Sequence, residues 1–154
     1  MRFTARQMRK GMGWWPPFLG AGIRVRSMAE DFREAIVEMK LGRLNRNYFG
    51  THFGGSLYAM TDPFFAIMLF RNLGDDYLIW DKSGSIEYIA PGRGTVSAHF
   101  SLTEQRLAEI RAQAAGGDKV LPDFEVYVKD EAGVVVARVR KVLYVRLKPK
   151  RRPQ

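Results

Sequence analysis

The sequence predicts an α+β fold in which an antiparallel sheet wraps around one long central helix, with a short extra helix. Two patterns and the composition predict it. Residues 56–70 are apolar almost all round, as in a helix that is buried on most sides. Segments before and after them alternate apolar and polar side chains, as half-buried strands do. A chain of 154 residues with 46% hydrophobic content can bury one core, so we expect a single domain over residues 1–154.

The first third of the chain predicts one helix and a pair of strands. Residues 2–12 predict a short basic helix, which Pro16–Pro17 ends because proline cannot continue a helix. Residues 23–28 predict the first strand. Residues 35–41 alternate apolar side chains with Glu and Lys, which predicts a second strand paired to the first as a hairpin. A polar loop over residues 42–50 follows.

The central helix is expected to begin at Gly54–Gly55 and to run to about Leu73. Pro63 lies inside it and has no amide hydrogen, so we expect a kink there. The remaining sequence predicts mainly strands, with one short amphipathic helix that Thr103 caps. The predicted strands cover residues 77–80, 85–89, 96–102, 124–129 and 134–147.

The composition excludes several kinds of site. The chain has no cysteine, so disulfides, cysteine nucleophiles and thiolate metal sites are ruled out. Its two histidines, His52 and His99, are distant in sequence, and we expect no metal site. The most apolar run, residues 57–70, is too short to span a bilayer, and the N-terminus lacks a signal-peptide core. We therefore expect a cytoplasmic protein without a transmembrane segment.

The formal net charge is +9, and part of the excess lies in two basic tails at about residues 1–12 and 148–154. Charged runs of this kind are usually solvated, which favours solubility as their role. The alternative is attraction of an anionic partner: nucleic acid, a membrane surface or a phosphate-bearing molecule. No nucleic-acid-binding motif accompanies the charge, so we expect no nucleic acid partner.

Residues 47–62, NYFGTHFGGSLYAMTD, resemble the motif Asn-x-x-Gly-x-x-His-Gly-Gly that precedes the central helix in hotdog-fold proteins of the thioesterase-like superfamily. Phe53 occupies the histidine position of that motif, and His52 lies one residue earlier. Over roughly residues 14–147 the sequence resembles that of the DUF4442-type subfamily. The positions that match the motif are Asn47, Gly50, Gly54 and Gly55.

The resemblance implies a hotdog fold and hydrolysis of an acyl thioester, with coenzyme A as part of the substrate and no other cofactor. Asp62 falls where phenylacetate-pathway-type acyl-CoA thioesterases carry a catalytic acid, and it would activate water or attack the thioester directly. The N–H of Gly55, with that of Gly54, is a candidate oxyanion donor, because the start of a helix leaves its amides free. Asn47 would orient the thioester or a water molecule.

Further residues near the motif are candidates for substrate binding. Thr51 and His52 adjoin the glycines, and Arg93 lies in a predicted turn where its charge would meet a coenzyme A phosphate. Gly55 and Asp62 are seven residues apart, about 10 Å along a helix, which is too far for both to act on one carbonyl. A second subunit with its helix antiparallel would solve this. We therefore expect a homodimer or a dimer of dimers with its sites at the dimer interface.

Three alternatives to this hypothesis stay open. Asp62 can be structural, stabilising the kink or pairing with an arginine or with Thr51, and Gly54–Gly55 can serve only close packing of the helix on the sheet. The protein can also be a hotdog protein that binds an acyl-CoA without turning it over, which the displaced His52 favours. A binder of nucleic acid or a membrane surface, driven by the net charge, would be insensitive to changes at Asp62.

Overall fold

The computed structural model of the chain describes residues 3–151. In this part the chain forms six strands, five α-helices and one turn of 3-10 helix. The helices are α1 (Ala5–Met12), α2 (Pro16–Ala21), α3 (Gly54–Ala59), α4 (Phe64–Leu73) and α5 (Glu104–Ala114). The strands are β1 (Ile23–Met28), β2 (Glu34–Lys40), β3 (Tyr77–Tyr88), β4 (Thr95–Ser101), β5 (Asp123–Asp130) and β6 (Val135–Leu147). The 3-10 turn covers Pro149–Arg151.

The six strands form one antiparallel sheet in the order β1-β2-β4-β5-β6-β3. The predicted hairpin of β1 and β2 is present, with Val25 opposite Val37. The last strand, β6, is 13 residues long and pairs with both β5 and β3. The two edges of the sheet are therefore β1 and β3. The predicted α+β class with an antiparallel sheet is confirmed.

The core lies between the inner face of the sheet and the two central helices. Phe64 and Phe65 of α4 are buried. The ring centroid of Phe65 lies 5.3 Å from that of Phe100 on β4 and 4.6 Å from that of Phe124 on β5. Each such side chain stabilises the fold by about 1.5–3 kcal/mol relative to an exposed one. This packing holds α4 against the middle of the sheet.

The central helix is interrupted, which corrects the prediction of one long helix. A turn over residues 60–63 separates α3 from α4. Pro63 has no N–H to donate to the carbonyl of Ala59, which accepts instead from the amide of Asp62 at 3.3 Å. The helix therefore does not only bend at Pro63, as predicted, but is broken there. Asp62 lies in this break rather than inside a helix.

The two strands predicted over residues 77–80 and 85–89 are a single strand. β3 continues through a bulge between Asp81 and Ser83 and stays paired with β6 on both sides of it. The polar residues at the bulge interrupt the apolar alternation, which is why the sequence predicts two strands. The bulge brings Asp81 to the inner side of the sheet, near the helix break.

The N-terminal segment also differs from the expectation. α1 ends at Met12, and Pro16 begins α2 rather than ending the first helix, because a first-turn residue needs no N–H. The basic residues 5–12 are no solvated tail: α1 packs on β1 with Ala5 and Met12 buried. Residues 1–2 and 152–154 lie outside the described residues.

Candidate functional site

Most of the predicted site residues line one open groove at the start of α3. The groove has a volume of about 680 Å³ and lies between the loop before α3 and the turn after β3. Asp62 is absent from its lining and lies beyond the other end of α3. Within one chain, therefore, the predicted site is in two parts. The predicted residues that line the groove are Asn47, Thr51, His52, Gly54, Gly55 and Arg93.

Asn47 shapes the loop that forms one wall of the groove. Its Nδ2 donates to Oγ1 of Thr51 at 2.9 Å and to the carbonyl of His52 at 3.2 Å. Its Oδ1 accepts from the amides of Phe49 and Thr51, at 3.0 and 3.1 Å. Both ends of the Asn47 amide are thus engaged within the loop. Direct action of Asn47 on a substrate stays a prediction.

His52 is a buried part of the groove wall, with 2% of its surface exposed. Its Nε2 lies 3.0 Å from the carbonyl oxygen of Gly94, which only accepts, so Nε2 carries the proton. Nδ1 is buried without a hydrogen-bond partner among the residues described. Burial lowers the pKa of His52, and the hydrogen bond to Gly94 offsets this only in part. His52 is therefore neutral at pH 7.

Two aromatic rings lie close to the first two residues of α3, where any side chain larger than that of glycine would meet them. A Cβ on Gly54 would lie 2.8 Å from the Tyr88 hydroxyl, and a Cβ on Gly55 would lie 2.5 Å from the ring of Phe53. Within residues 3–151 the backbone N–H groups of both glycines donate no hydrogen bond, as expected for a first helical turn. The groove thus contains two backbone donors that are free of hydrogen bonds within the described residues. Phe53, at the motif's histidine position, lies over Gly55.

Arg93 lies at the rim of the groove, in the turn between β3 and β4. Its side chain is exposed and forms no ion pair with any other described residue. The same turn presents the Gly94 carbonyl to His52, so the backbone of the turn is fixed on the groove wall. Arg93 is a free cation at the groove's mouth.

A second cluster surrounds Asp62 at the helix break. Nζ of Lys141 lies 2.6 Å from Oδ1 of Asp62 and 3.3 Å from Oδ1 of Asp81. The contact with Asp81 is an ion pair without hydrogen-bond geometry, and the Tyr58 hydroxyl lies 3.4 Å from the same Nζ. The Lys141 side chain is 1% exposed, whereas that of Asp62 is 49% exposed. Asp62 therefore contacts a buried cation through one oxygen while half of its side chain stays open.

Burial and charge act in opposite directions on this cluster. Burial lowers the pKa of Lys141, but the hydrogen bond to Asp62 and the negative charges of Asp81 and Asp62 outweigh burial, so the pKa is raised. Burial raises the pKa of Asp81, and the charge of Lys141 offsets this only in part. Lys141 is thus a buried cation at neutral pH, and the two carboxylates are its counter-charges.

The sequence-based prediction missed Lys141, although β6 contains the signal for it. The buried face of β6 consists of residues 137, 139, 141, 143 and 145, and Lys141 is the one charged residue among them. A lysine at a buried strand position requires a counter-charge, so this pattern predicts an inward-facing carboxylate. Gly84 on β3 makes room for the cluster: a Cβ there would clash with the Tyr58 hydroxyl and lie 3.1 Å from Cδ of Lys141.

Exposed aromatic side chains border the groove. Tyr48 is 98% exposed and Phe49 is 81% exposed, at the tip of the loop before α3. Phe53 and Tyr88 are exposed beside the two glycines. Single exposed apolar residues are ordinary, but a contiguous group beside a pocket marks an interaction surface. We call these four residues the aromatic rim.

Two further features of residues 3–151 bear on other kinds of function. No three His, Asp or Glu side chains in this part of the chain converge as metal ligands would. No helix in it is long and apolar enough to cross a membrane.

The antiparallel sheet packed on a central helix, with a glycine-led turn into that helix, is the hotdog fold, and solved structures of the thioesterase superfamily share it. A protein of unknown function from Pseudomonas aeruginosa, described as a probable thioesterase, superposes with a TM-score of 0.82 at 19% identity, covering 96% of this chain and 99% of its own. For a thioesterase from Haemophilus influenzae the TM-score is 0.68 at 14% identity, with 96% and 93% covered. For thioesterase superfamily member 2 from Mus musculus the TM-score is 0.65 at 18% identity, with 94% and 98% covered.

The chain belongs to the DUF4442 family, described as a domain of unknown function, whose family model matches residues 4–145. No curated protein matches the sequence. The resemblance drawn from the motif is thus confirmed for the fold and for the family.

Proposed function

We propose that this protein is an acyl-CoA thioesterase in which Asp62 acts as the general base. The observation that carries the proposal is the setting of Asp62, a half-exposed carboxylate at a helix break that a buried lysine holds at 2.6 Å. The hotdog fold adds support, because structural neighbours with this fold are described as thioesterases.

In the proposed reaction Asp62 accepts a proton from water as the water oxygen bonds to the thioester carbonyl carbon. The carbonyl oxygen becomes an oxyanion, which the free N–H of Gly55, with that of Gly54, stabilises. Collapse of this intermediate breaks the C–S bond, and the thiolate of coenzyme A takes the proton back from Asp62. The products are a carboxylic acid and free coenzyme A, and no metal or further cofactor takes part.

Lys141 positions Asp62 in this proposal. Its Nζ holds Oδ1, which leaves Oδ2 as the acceptor for the water proton. The Lys141 side chain is buried, so the cation is held in place beside Asp62. The buried contact therefore fixes the direction of the base.

The two parts of the site require a second copy of the chain. Asp62 lies beyond the end of α3 that is opposite to the groove, so the glycines of one chain would act with the partner's Asp62. The aromatic rim beside the groove is exposed in one chain, and a second chain would cover it, which supports this arrangement. We propose a homodimer, or a dimer of dimers, with a site at each dimer interface.

The remaining groove residues would bind the substrate. Arg93 is an exposed cation without a described ion-pair partner, suited to a coenzyme A phosphate. Thr51 and His52 lie in the groove wall, and Asn47 holds the loop that carries them. These residues would orient the coenzyme A part while Asp62 acts on the thioester.

One observation favours a second candidate function, the binding of acyl-CoA without turnover. The ring of Phe53 lies over Gly55, and the Asn47 amide is engaged within its own loop. A substrate would have to displace that ring to reach the Gly55 N–H. In this alternative the groove binds the thioester and releases it unchanged.

A thiol-release assay over short, long and aromatic acyl-CoAs, with wild type beside Asp62→Asn, tests the proposal. Asparagine keeps the shape of the side chain and cannot act as a base, so we expect turnover to fall by about 10²–10⁴-fold. Asp118→Asn, an exposed aspartate outside both clusters, is the matched control and should keep wild-type activity.

The outcomes separate the two candidate functions. No turnover by a folded wild type that still binds acyl-CoA would favour the binding function. Equal turnover in wild type and Asp62→Asn would leave the thioesterase activity and remove Asp62 from the mechanism.

A further inference from the structure

We propose that the N-terminal corner of the molecule docks on an anionic lipid bilayer. We define this corner as α1, α2 and the start of β1. It shares no residue with the groove at α3 or with the cluster around Asp62, and the proposal does not depend on thioesterase activity. The occupant is inferred from the charge, the exposed side chains and the rigidity of the corner.

The corner exposes apolar side chains that a soluble surface has no need to expose. Trp14 is 78% exposed, and Trp15 and Leu19 are also exposed. Tryptophan is the side chain most typical of the boundary between lipid headgroups and acyl chains, where its ring is half-wet. Pro16 and Pro17 are exposed between them and add aliphatic surface.

Three cations lie among these apolar side chains, and one of them, Arg24, has Glu38 of β2 opposite it across the hairpin. Arg9, Lys10 and Arg24 line an open depression of about 390 Å³ together with Trp14 and Leu19. None of the three cations forms an ion pair within the described part of the chain. In the sequence, residues 1–29 contain six Arg and Lys and no Asp or Glu. A surface of this sign attracts anionic lipids, with about 1 kcal/mol gained per basic residue near the membrane, roughly a fivefold gain in affinity.

The corner is a rigid part of the fold rather than a mobile tail. The Thr4 side chain caps α1 in a capping box with Gln7, and the Arg9 guanidinium donates to the carbonyl of Arg26 on β1 at 3.1 Å. Phe18 is buried and holds α2, with its ring 5.1 Å from that of Trp15. The exposed rings and the cations are thus presented together in one fixed arrangement.

A membrane surface fits this composition better than nucleic acid does. Single strands bind to aromatic side chains by stacking, which suits Trp14 but gives no role to Leu19 or to the exposed prolines. Aliphatic and indole groups flanked by basic residues are instead the composition of interfacial membrane anchors. The surface would lie on the bilayer without crossing it.

Co-sedimentation with phosphatidylcholine vesicles, with and without phosphatidylglycerol, tests the proposal on the full chain. We expect binding to the anionic vesicles, weaker binding to the neutral ones and loss of binding as salt rises. Arg9→Gln with Lys10→Gln should weaken binding on the order of tenfold. Trp14→Ser should weaken it to a similar degree, because the indole no longer enters the interface.

Matched variants elsewhere on the surface control for general effects. Tyr127→Ser removes an exposed aromatic ring outside the corner and the aromatic rim, and Lys119→Gln with Lys129→Gln removes two exposed cations; both variants should bind like wild type. In a Trp15→Phe, Trp80→Phe background, Trp14 is the one tryptophan, and its emission should shift to shorter wavelength on anionic vesicles.

Four results would overturn the proposal. These are no binding to anionic vesicles by a folded protein, equal losses in the control variants, preferential binding of single-stranded DNA, and dissociation of a wild-type oligomer by Trp14→Ser. The third result would make the corner a nucleic acid surface. The fourth would make it a contact between copies of this chain.

Discussion

Lys141 determines the electrostatics around Asp62. Replacing it with methionine removes the charge and keeps most of the volume, so Asp81 would stay partly buried without its counter-charge. We expect Lys141→Met to lower the free energy of unfolding by about 2 kcal/mol, measured by urea unfolding. This is less than the roughly 3–5 kcal/mol of a fully buried pair, because Asp62 is 49% exposed and water can solvate it.

The free energy of unfolding that Lys141→Met loses should be larger at pH 8 than at pH 5. Burial raises the pKa of Asp81 above its unfolded value, so the folded state keeps that proton longer, and stability falls as pH rises through this window. The charge of Lys141 opposes this rise in the pKa of Asp81. Removing Lys141 therefore raises that pKa further and widens the pH range over which stability falls. Asp81→Asn added to Lys141→Met should restore part of the stability. A Lys141→Met variant that is as stable as wild type at both pH values would contradict the ion-pair interpretation.

His52 should make the protein less stable below about pH 6.5. Its pKa is lowered by burial, so the unfolded chain takes up a proton first as pH falls, and stability is lost between the unfolded and the folded pKa values. The slope is at most about 1.4 kcal/mol per pH unit for one proton. Chemical unfolding at pH 5 to 7 should show a smaller slope for His52→Gln than for wild type.

A His52→Gln slope equal to that of wild type would contradict the assignment of this pH effect to His52.

The candidate site was predictable from the sequence to the extent that its residues are close in the chain. Residues 47–55 come together in one groove because they form one loop and the helix start that follows it. Lys141 was missed because it lies 79 residues from Asp62, and their contact depends on how β6 pairs with β3. No motif or local spacing contains that pairing. Only the unusual lysine in an alternating strand indicates it.

Among the elements, β3 depends most on a single position. A side chain at Gly84 would clash with the Tyr58 hydroxyl and press on Lys141, so we expect Gly84→Ala to lower the free energy of unfolding by about 1–3 kcal/mol. Ser85→Ala, an exposed neighbour in the same strand, should change it by less than about 0.5 kcal/mol. Urea unfolding of both variants measures the difference.

A double-mutant cycle can assign the Gly84 effect to one atom. Tyr58→Phe removes the hydroxyl that the new methyl group would meet, so Gly84→Ala should cost less in that background. An equal cost in both backgrounds would place the strain elsewhere in the strand.

The elements themselves were predicted where the apolar pattern is regular. β1, β2, β4, β5 and β6 alternate cleanly, and each was predicted within a few residues. The pattern fails at β3, where the bulge between Asp81 and Ser83 puts polar residues mid-strand, and at the helix break before Pro63. Both departures lie next to Asp62. The apolar pattern therefore predicts the strands and helices of the core, and it fails at positions next to the candidate site.

For the whole molecule, the proposed shared site predicts complementation between two inactive variants. Asp62→Asn lacks the base, and Gly55→Pro lacks the oxyanion donor. Proline suits a first helical turn, and the exposed Phe53 ring that lies over Gly55 would turn aside to make room for it. In a mixed dimer one of the two sites combines an intact Gly55 with an intact Asp62. Refolding equal amounts of the two variants together should restore about a quarter of wild-type turnover, since half of the dimers are mixed and each has one intact site.

Light scattering should find a dimer or a tetramer for wild type and for both variants. Each variant refolded alone is the control and should stay inactive. Activity that does not return in demonstrably mixed dimers would mean that Gly55 and Asp62 of one chain act together. A variant that is active when refolded alone would mean that its residue has no role.

The position of β6 between β5 and the edge strand β3 has a consequence for synthesis. Chains leave the ribosome N-terminus first, at about 5–20 residues per second, so β3 is made long before the strand that it pairs with. Until β6 follows, β3 has no neighbour in the sheet, and Asp62 has no cation beside it. The last strand of the sequence therefore closes the sheet and completes the surroundings of Asp62 in one step. A nascent chain that stops before β6 would lack both, which ties the chemistry of this site to the completion of the fold.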